Sequence, residues 1–277
     1  MLFQRRQQGL TLLELMIALA LSVVLIGGII TIYTSSKQTY KSRDQLSLMD
    51  ENARVALLTL MRGLEHANYK IEANDYFINA TPKKILCSNG KYNIAKPNLL
   101  KLTQDNSNGD TVGIIFSSDI NLPIDCANIW DSDDAIACRT NPVNNSQYVY
   151  NSFYVASNGS DNLPNLYCMS SRSNTPVPIV QGVENIQFLY GVNVDNDKNY
   201  TVDQYFTASQ IETQKLWGKI LTIKVGILVR SIEPTLEKAT SKTYKVLDAS
   251  VSFNDRYQRA VYGTTIELRN AIKKTGV

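Results

Sequence analysis

Few side chains in this sequence are of types and at spacings that do chemistry. Between Asp195 and Asp203, oxygen-bearing residues fall at every second position: Asp195, Asp197, Asn199, Thr201 and Asp203. A calcium loop gathers hard ligands around a hard cation in this way. Here Tyr200 replaces the turn glycine, and Phe206 stands where a bidentate glutamate would close the shell. The stretch therefore reads as a polar hairpin loop, with calcium as its alternative occupant, and no cofactor is expected.

The chain has four cysteines, Cys87, Cys126, Cys138 and Cys168, with no C-x-x-C pair, and a single histidine, His66. Zinc binding and thioredoxin-like exchange do not fit that inventory, whereas an oxidising compartment would pair the thiols. Of the three connectivities, the reading favours Cys126 with Cys138, closing "NIWDSDDAIA", and Cys87 with Cys168. Each bridge would be worth about 2 to 4 kcal/mol. His66 falls in a helical, amphipathic stretch and reads as a packing or surface residue, since a general base needs a partnered geometry. There is no G-x-S-x-G, phosphate loop or paired-histidine motif, and Asp133-Asp134 reads as a solvated loop. No enzyme is expected.

Glu14 is the remaining oddity. It lies near the start of an apolar run, "GLTLLELMIALALSVVLIGGII", residues 9–30. A carboxylate in hydrocarbon costs at least about 2.5 kcal/mol and so marks function or a partner. From Leu15 to Ser36 there is no charged residue, and a helix of that span rises about 33 Å, enough for one bilayer crossing. Arg5 and Arg6 precede it, which keeps the N-terminus cytoplasmic and exports the bulk of the chain. Cleavage after Ala18-Leu19-Ala20 as an ordinary secretory signal does not fit, because Glu14 interrupts the short segment before the cut and apolar sequence continues to Ile32.

These residues need elements to position them. With 277 residues, 44% of them hydrophobic, the chain can bury a core, and its net charge of +3 includes Arg5 and Arg6, so nothing asks for nucleic acid. The basic Arg269, Lys273 and Lys274 read as an exposed tail. Leu46, Met49, Ala53, Leu57, Leu60, Leu64 and Ala67 recur at steps of three and four, predicting one apolar stripe along a helix. Beyond about residue 75, "TVGIIFSS", "QYVYNSFYVA", "ENIQFLYGV", "LTIKVGILVRS", "YKVLDASVSF" and "AVYGTTIELRN" are β-branched and aromatic and read as antiparallel strands. Residues 104–110, 130–146 and 195–204 read as loops. A long helix followed by strands gives an α+β fold with the helix laid on the sheet.

The leader "MLFQRRQQ", then Gly9, Leu10, Thr11 and Glu14 opening the apolar helix, resembles the prepilin-type signal of type IV pilins and type II secretion pseudopilins, though the usual phenylalanine after the cut is Leu10. "GVENIQFLYGVNVDNDKN", "IKVGILVRS" and "YGTTIELRN", in that order, resemble the C-terminal half of PilW-type minor pilins, relatives of the GspJ-type pseudopilins. The resemblance implies a pilin-like architecture: leader 1–9, transmembrane and assembly helix 10–36, amphipathic helix half 37–73, and a periplasmic β-rich head 74–277. It implies cleavage by prepilin peptidase between Gly9 and Leu10 with methylation of the new N-terminus, and an assembly role for Glu14. The implied partners are other minor pilins, the major pilin and the inner membrane. The implied function is that of a minor pilin that primes type IV pilus assembly and sits at the tip, where its bulky head avoids lateral clashes. The alternatives are a type II secretion pseudopilin and a membrane-anchored periplasmic binding domain.

Overall fold

The structure, a computed structural model, describes residues 11–69, 77, 101–106, 109–118, 125–127, 147–157, 163–171, 173, 175–195 and 200–271. By internal contacts the chain divides into two units, 1–45 and 46–277. One helix, α1 (Leu12–Glu65), contributes to both.

In the first unit α1 presents Leu13, Met16, Leu19, Val23, Ile26 and Ile30 outward with no protein over them. The helix is long and apolar enough there to cross a membrane. Thr31 and Thr34 turn their hydroxyls back onto the carbonyls of Gly27 and Ile30, so they add no unpaired donor to the apolar surface.

In the second unit the polar face of α1 turns outward and the stripe is buried. Met49, Ala53, Ala56, Leu60, Leu64 and Ala67 are inaccessible to solvent. They match the expected periodicity with two differences: Ala56 takes the place expected for Leu57, which is half-buried, and Leu46 is exposed. Small residues at 53 and 56 let the helix lie close to the sheet. Gly63 does the same, since a Cβ there would come within 2.5 Å of the Phe153 ring.

The sheet elements are β1 (Val112–Ser118), β2 (Gln147–Ser157), β3 (Pro164–Ser170), β4 (Val177–Gln181), β5 (Val183–Val192), β6 (Gln204–Phe206), β7 (Ile220–Arg230), β8 (Thr240–Val246), β9 (Ala249–Asp255) and β10 (Arg259–Glu267), with a short helix α2 (Ala208–Gln214) between β6 and β7. They form two four-stranded antiparallel sheets, ordered β1-β2-β3-β4 and β10-β7-β5-β6, and a two-stranded hairpin, β8-β9. Only Gly182, at φ 82°, separates β4 from β5 as the chain passes between sheets, and a Cβ there would meet the Arg230 carbonyl at 2.9 Å. The buried helix stripe joins Ile114, Phe116, Phe153, Phe188 and Ile227 in one core spanning both sheets.

Three expectations change. "YKVLDASVSF" is not one strand but two, because Leu247 takes a left-handed turn (φ 51°) and folds β9 back on β8. The turn lands over β7, where a Cβ on Gly226 would stand 2.9 Å from the Leu247 side chain. Strands β3, β4 and β6 lie in stretches assigned to no strand, since Pro164, Pro178 and short length mask their pattern. The cysteine pairing is corrected below.

Candidate functional site

At the start of α1, Thr11 and Glu14 form a reciprocal cap. The Glu14 carboxylate accepts from the Thr11 backbone N–H at 3.0 Å and from its hydroxyl at 3.1 Å, while the Glu14 N–H donates to the Thr11 hydroxyl oxygen at 3.3 Å. This is a Thr-x-x-Glu capping box, which satisfies donors that a helix N-terminus leaves unpaired. Glu14 therefore has a local job besides any assembly role. Gly9 and Leu10 lie outside the described residues.

At the other end, the chain leaves α1 through Asn68 at φ 64°. Asn270, just beyond β10, reaches back so that its amide donates to the carbonyls of Glu65 (2.9 Å) and Ala67 (3.2 Å). The Asn68 amide in turn donates to the Asn270 carbonyl at 2.8 Å. Residues some two hundred positions apart thus close the helix C-terminus onto the sheet. His66 packs beside this closure with its ring 5.9 Å from that of Phe116, and burial lowers its pKa. That is the expected packing role.

The structure pairs Cys126 with Cys168, at a Cα separation of 6.1 Å. This replaces both favoured pairings, Cys126 with Cys138 and Cys87 with Cys168; Cys87 and Cys138 lie outside the described residues. The reason is tertiary. Cys168 sits fully buried in β3, and Asp125 fixes the turn that carries Cys126: its carboxylate accepts from the Ala127 N–H at 2.9 Å and from the Ser170 hydroxyl, two residues along β3 from Cys168.

Of the oxygen-bearing loop, Asp197 and Asn199 lie outside the described residues. The Asp203 carboxylate accepts from the backbone N–H groups of Val194 (2.6 Å) and Asp195 (3.3 Å), closing the connection between β5 and β6. Asp203 thus serves the hairpin. No cluster of metal-ligating side chains occurs among the described residues.

Two polar groups that the sequence did not single out hold the head together. Asp110, buried just before β1, accepts from the N–H groups of Asn106 (3.0 Å) and Phe188 (2.9 Å), and its own N–H donates to the Ile186 carbonyl at 2.7 Å, which couples the two sheets. Asp105 beside it caps α2, accepting from Ala208 and Ser209 N–H at 2.8 Å each. Burial pushes the Asp110 pKa up to about 7, opposed by the two N–H groups and reinforced by Asp105 and Asp248.

The folded state therefore holds the Asp110 proton more tightly than the unfolded chain does, and stability is lost as pH rises through about 7. From pH 8 to pH 6 this group alone adds about 1.4 kcal/mol. His66, with a lowered pKa, acts oppositely in that window, because the unfolded chain protonates first as pH falls. The measurement is consequently a difference. Denaturation of the full chain in detergent, followed by tryptophan fluorescence, should show wild type gaining on Asp110→Asn by about 1.4 kcal/mol between pH 8 and pH 6. Parallel pH profiles for the two would refute the assignment.

A helix whose apolar first half is bare and whose second half is buried on antiparallel sheets defines a pilin-like α+β protein. Residues 4–30 match the prokaryotic N-terminal methylation motif, and residues 152–270, from β2 to just past β10, match PilW, the type IV pilus-assembly protein W. The chain thus carries a PilW-family region behind a methylation motif. Among solved structures, a type IV-like pilin from Thermus thermophilus is similar at 13% identity over 83% of this chain and 97% of that one, with a TM-score of 0.43. No curated protein matches the chain.

Proposed function

We propose that this protein is a minor pilin: a non-enzymatic subunit, cut by prepilin peptidase between Gly9 and Leu10, anchored in the inner membrane by the first half of α1 with its head in the periplasm. It joins other minor pilins and the major pilin to prime a type IV pilus and stays at the tip. The observation that carries the reading is the PilW-type match over residues 152–270 together with the methylation motif at the start of the same chain. The bare apolar surface of α1 supports membrane anchoring and later helix bundling. A head of some two hundred residues supports the tip, since at each turn of a tightly wound filament it would clash with its neighbours.

Deletion of the gene tests this. Loss of surface pili and twitching, restored by the wild-type chain, is the expected result, with the mature protein beginning at Leu10. Normal piliation with failed export of secreted proteins would move the assignment to a type II secretion pseudopilin. A mature N-terminus at Leu21 would indicate ordinary signal cleavage and overturn both.

A further inference from the structure

The sheet edges are unequally protected. On its outer side β1 is met by Asn68, whose N–H donates to the Ile115 carbonyl, by Tyr69, whose carbonyl accepts from Ser117, and by Phe77, bridged to Ile114. The β4 edge is five residues long, interrupted by a bulge in its pairing and by Pro178. The β6 edge is three residues long, and the β8-β9 hairpin carries Lys242 and Lys245. All of these are ordinary ways of blunting an edge.

β10 has none of them. It pairs with β7 without a break over nine residues, contains no proline or lysine, and is hydrogen-bonded to no other strand among the described residues. The Leu268 N–H donates to the Leu221 carbonyl and the Ser231 N–H to the Gln258 carbonyl. By alternation along an antiparallel ladder, even-numbered residues of β10 bond to β7, and Val261, Gly263 and Thr265 turn their N–H and C=O groups outward. Val261 is also 43% exposed. Beside this edge, α1 and β10 enclose an open groove of about 360 Å³ whose floor is apolar, with Leu57, Leu58 and Met61, and whose lining also includes the charged Asp50 and Arg54.

We infer that the β10 edge is a docking site for an extended segment of a different subunit of the same assembly, added as a strand along Val261, Gly263 and Thr265 with alternate apolar side chains in the groove. Main-chain bonding supplies affinity in such additions, and the pockets for alternate side chains supply specificity. The inference rests on the minor-pilin reading above and adds to it the place and the chemistry of the contact.

A second copy of this chain does not fit the edge. Tyr262 bonds Asp50 at 2.5 Å and Asn270 bonds the Glu65 carbonyl at 2.9 Å. The bonds join Asp50 to Tyr262 near the start of β10 and Glu65 to Asn270 just past its end, so β10 runs alongside α1 in the same direction. Antiparallel pairing of two β10 edges would then run the two helices in opposite directions, although both chains enter one membrane from the same side. Parallel pairing of two copies would put the helices on opposite faces of the joint sheet, where they could not bundle at 8–10 Å. Head-to-tail pairing would need β6, the other edge of the same sheet, which is only three residues long, or β4, which Pro178 and the bulge have spoiled as an edge.

The test is residue-resolved amide exchange on the full-length chain in detergent, alone and after co-expression with the other prepilin-signal subunits of its genome. Alone, the Val261, Gly263 and Thr265 amides should exchange fast while those of Tyr262 and Thr264 are protected. In the complex the three outward amides should slow at least about tenfold. Thr265→Pro removes one outward N–H and leaves the bonds to β7 in place, so it should lose the partner, whereas Thr265→Val should keep it; slow Tyr262 and Thr264 amides show that either variant is folded. A complex that forms with the three amides still fast overturns this inference and leaves the minor-pilin reading standing. Protection that rises with the concentration of the chain alone assigns the edge to a second copy and also overturns it. Wild-type chain that recovers no subunit overturns the minor-pilin reading, and the inference with it.

Discussion

Arg259→Ala should lower the stability of the head by about 3 kcal/mol, the low end of the range for removing one partner of a buried ion pair. The Arg259 side chain is almost wholly buried and bonds two carboxylates bidentately: Glu184 of β5 at 2.5 and 3.0 Å, and Asp255 at the end of β9 at 2.7 and 2.6 Å. Its guanidinium also lies 3.8 Å from the centre of the Phe253 ring. Directly across the ladder stands Arg230, 3.8 Å from Glu184 and over the Tyr257 ring. Two facing arginines are thus neutralised by two acids, and the four together tie the β8-β9 hairpin and the start of β10 to β5.

Removing Arg259 leaves Glu184 buried with only the longer contact to Arg230, while Asp255, a third exposed, recovers part of its hydration. That is why the low end of the range applies. The bonds from Arg259 hold the Asp255 carboxyl below its usual pKa, so its contribution is present above about pH 4 and is lost as pH falls through the lowered value. Wild type and Arg259→Ala should therefore differ more near neutrality than below pH 4, the gap narrowing as Asp255 protonates. Adding Glu184→Gln to Arg259→Ala should recover part of the loss by removing the stranded charge. A cost under about 1 kcal/mol at pH 7 would show that solvent, and not the protein, carries these charges.

None of this network is legible in the sequence, because ion pairs across a sheet depend on register. Nothing in "NDRYQRAV" says that its second arginine will face Arg230 or find Glu184, 75 residues back. What could be read was periodic: the three-four spacing of Met49, Ala53, Leu60, Leu64 and Ala67 survives in the structure because burying one helix face is a local requirement. Ala56 in place of Leu57 marks the limit of that reasoning, since the exact facing of the stripe is set by how closely the sheet approaches at Gly63 and Phe153. The Leu247 turn and the Cys126–Cys168 bridge were misread for the same reason: each depends on a strand packed from elsewhere, β7 in one case and β3 in the other. Asp110 looked like the end of a loop, and only its placement between Asn106 and Phe188 makes it a buried coupling between sheets.

Glu14 is the opposite case, conspicuous in the sequence and given a second role by the structure. As a capping residue it needs only an acceptor oxygen facing the Thr11 N–H. As an assembly residue it needs its charge, to match the amine that cleavage would expose on Leu10 of a neighbouring subunit, so that both charges are satisfied only in the right axial register. Glutamine separates the two. If capping were the whole role, Glu14→Gln would behave as wild type and only Glu14→Ala would suffer, by roughly 0.5 to 2 kcal/mol at the helix end. If charge matching dominates, both variants leave a buried amine unpaired, a loss of about 3 to 5 kcal/mol, or upwards of a hundredfold in association. The second result is expected: Glu14→Gln and Glu14→Ala should both be cleaved and inserted normally, yet recover partner subunits at least tenfold less well and reduce pilus number. The measurement is co-purification from detergent extracts alongside counts of surface pili, and a Glu14→Gln chain that assembles as wild type would reduce Glu14 to a helix cap.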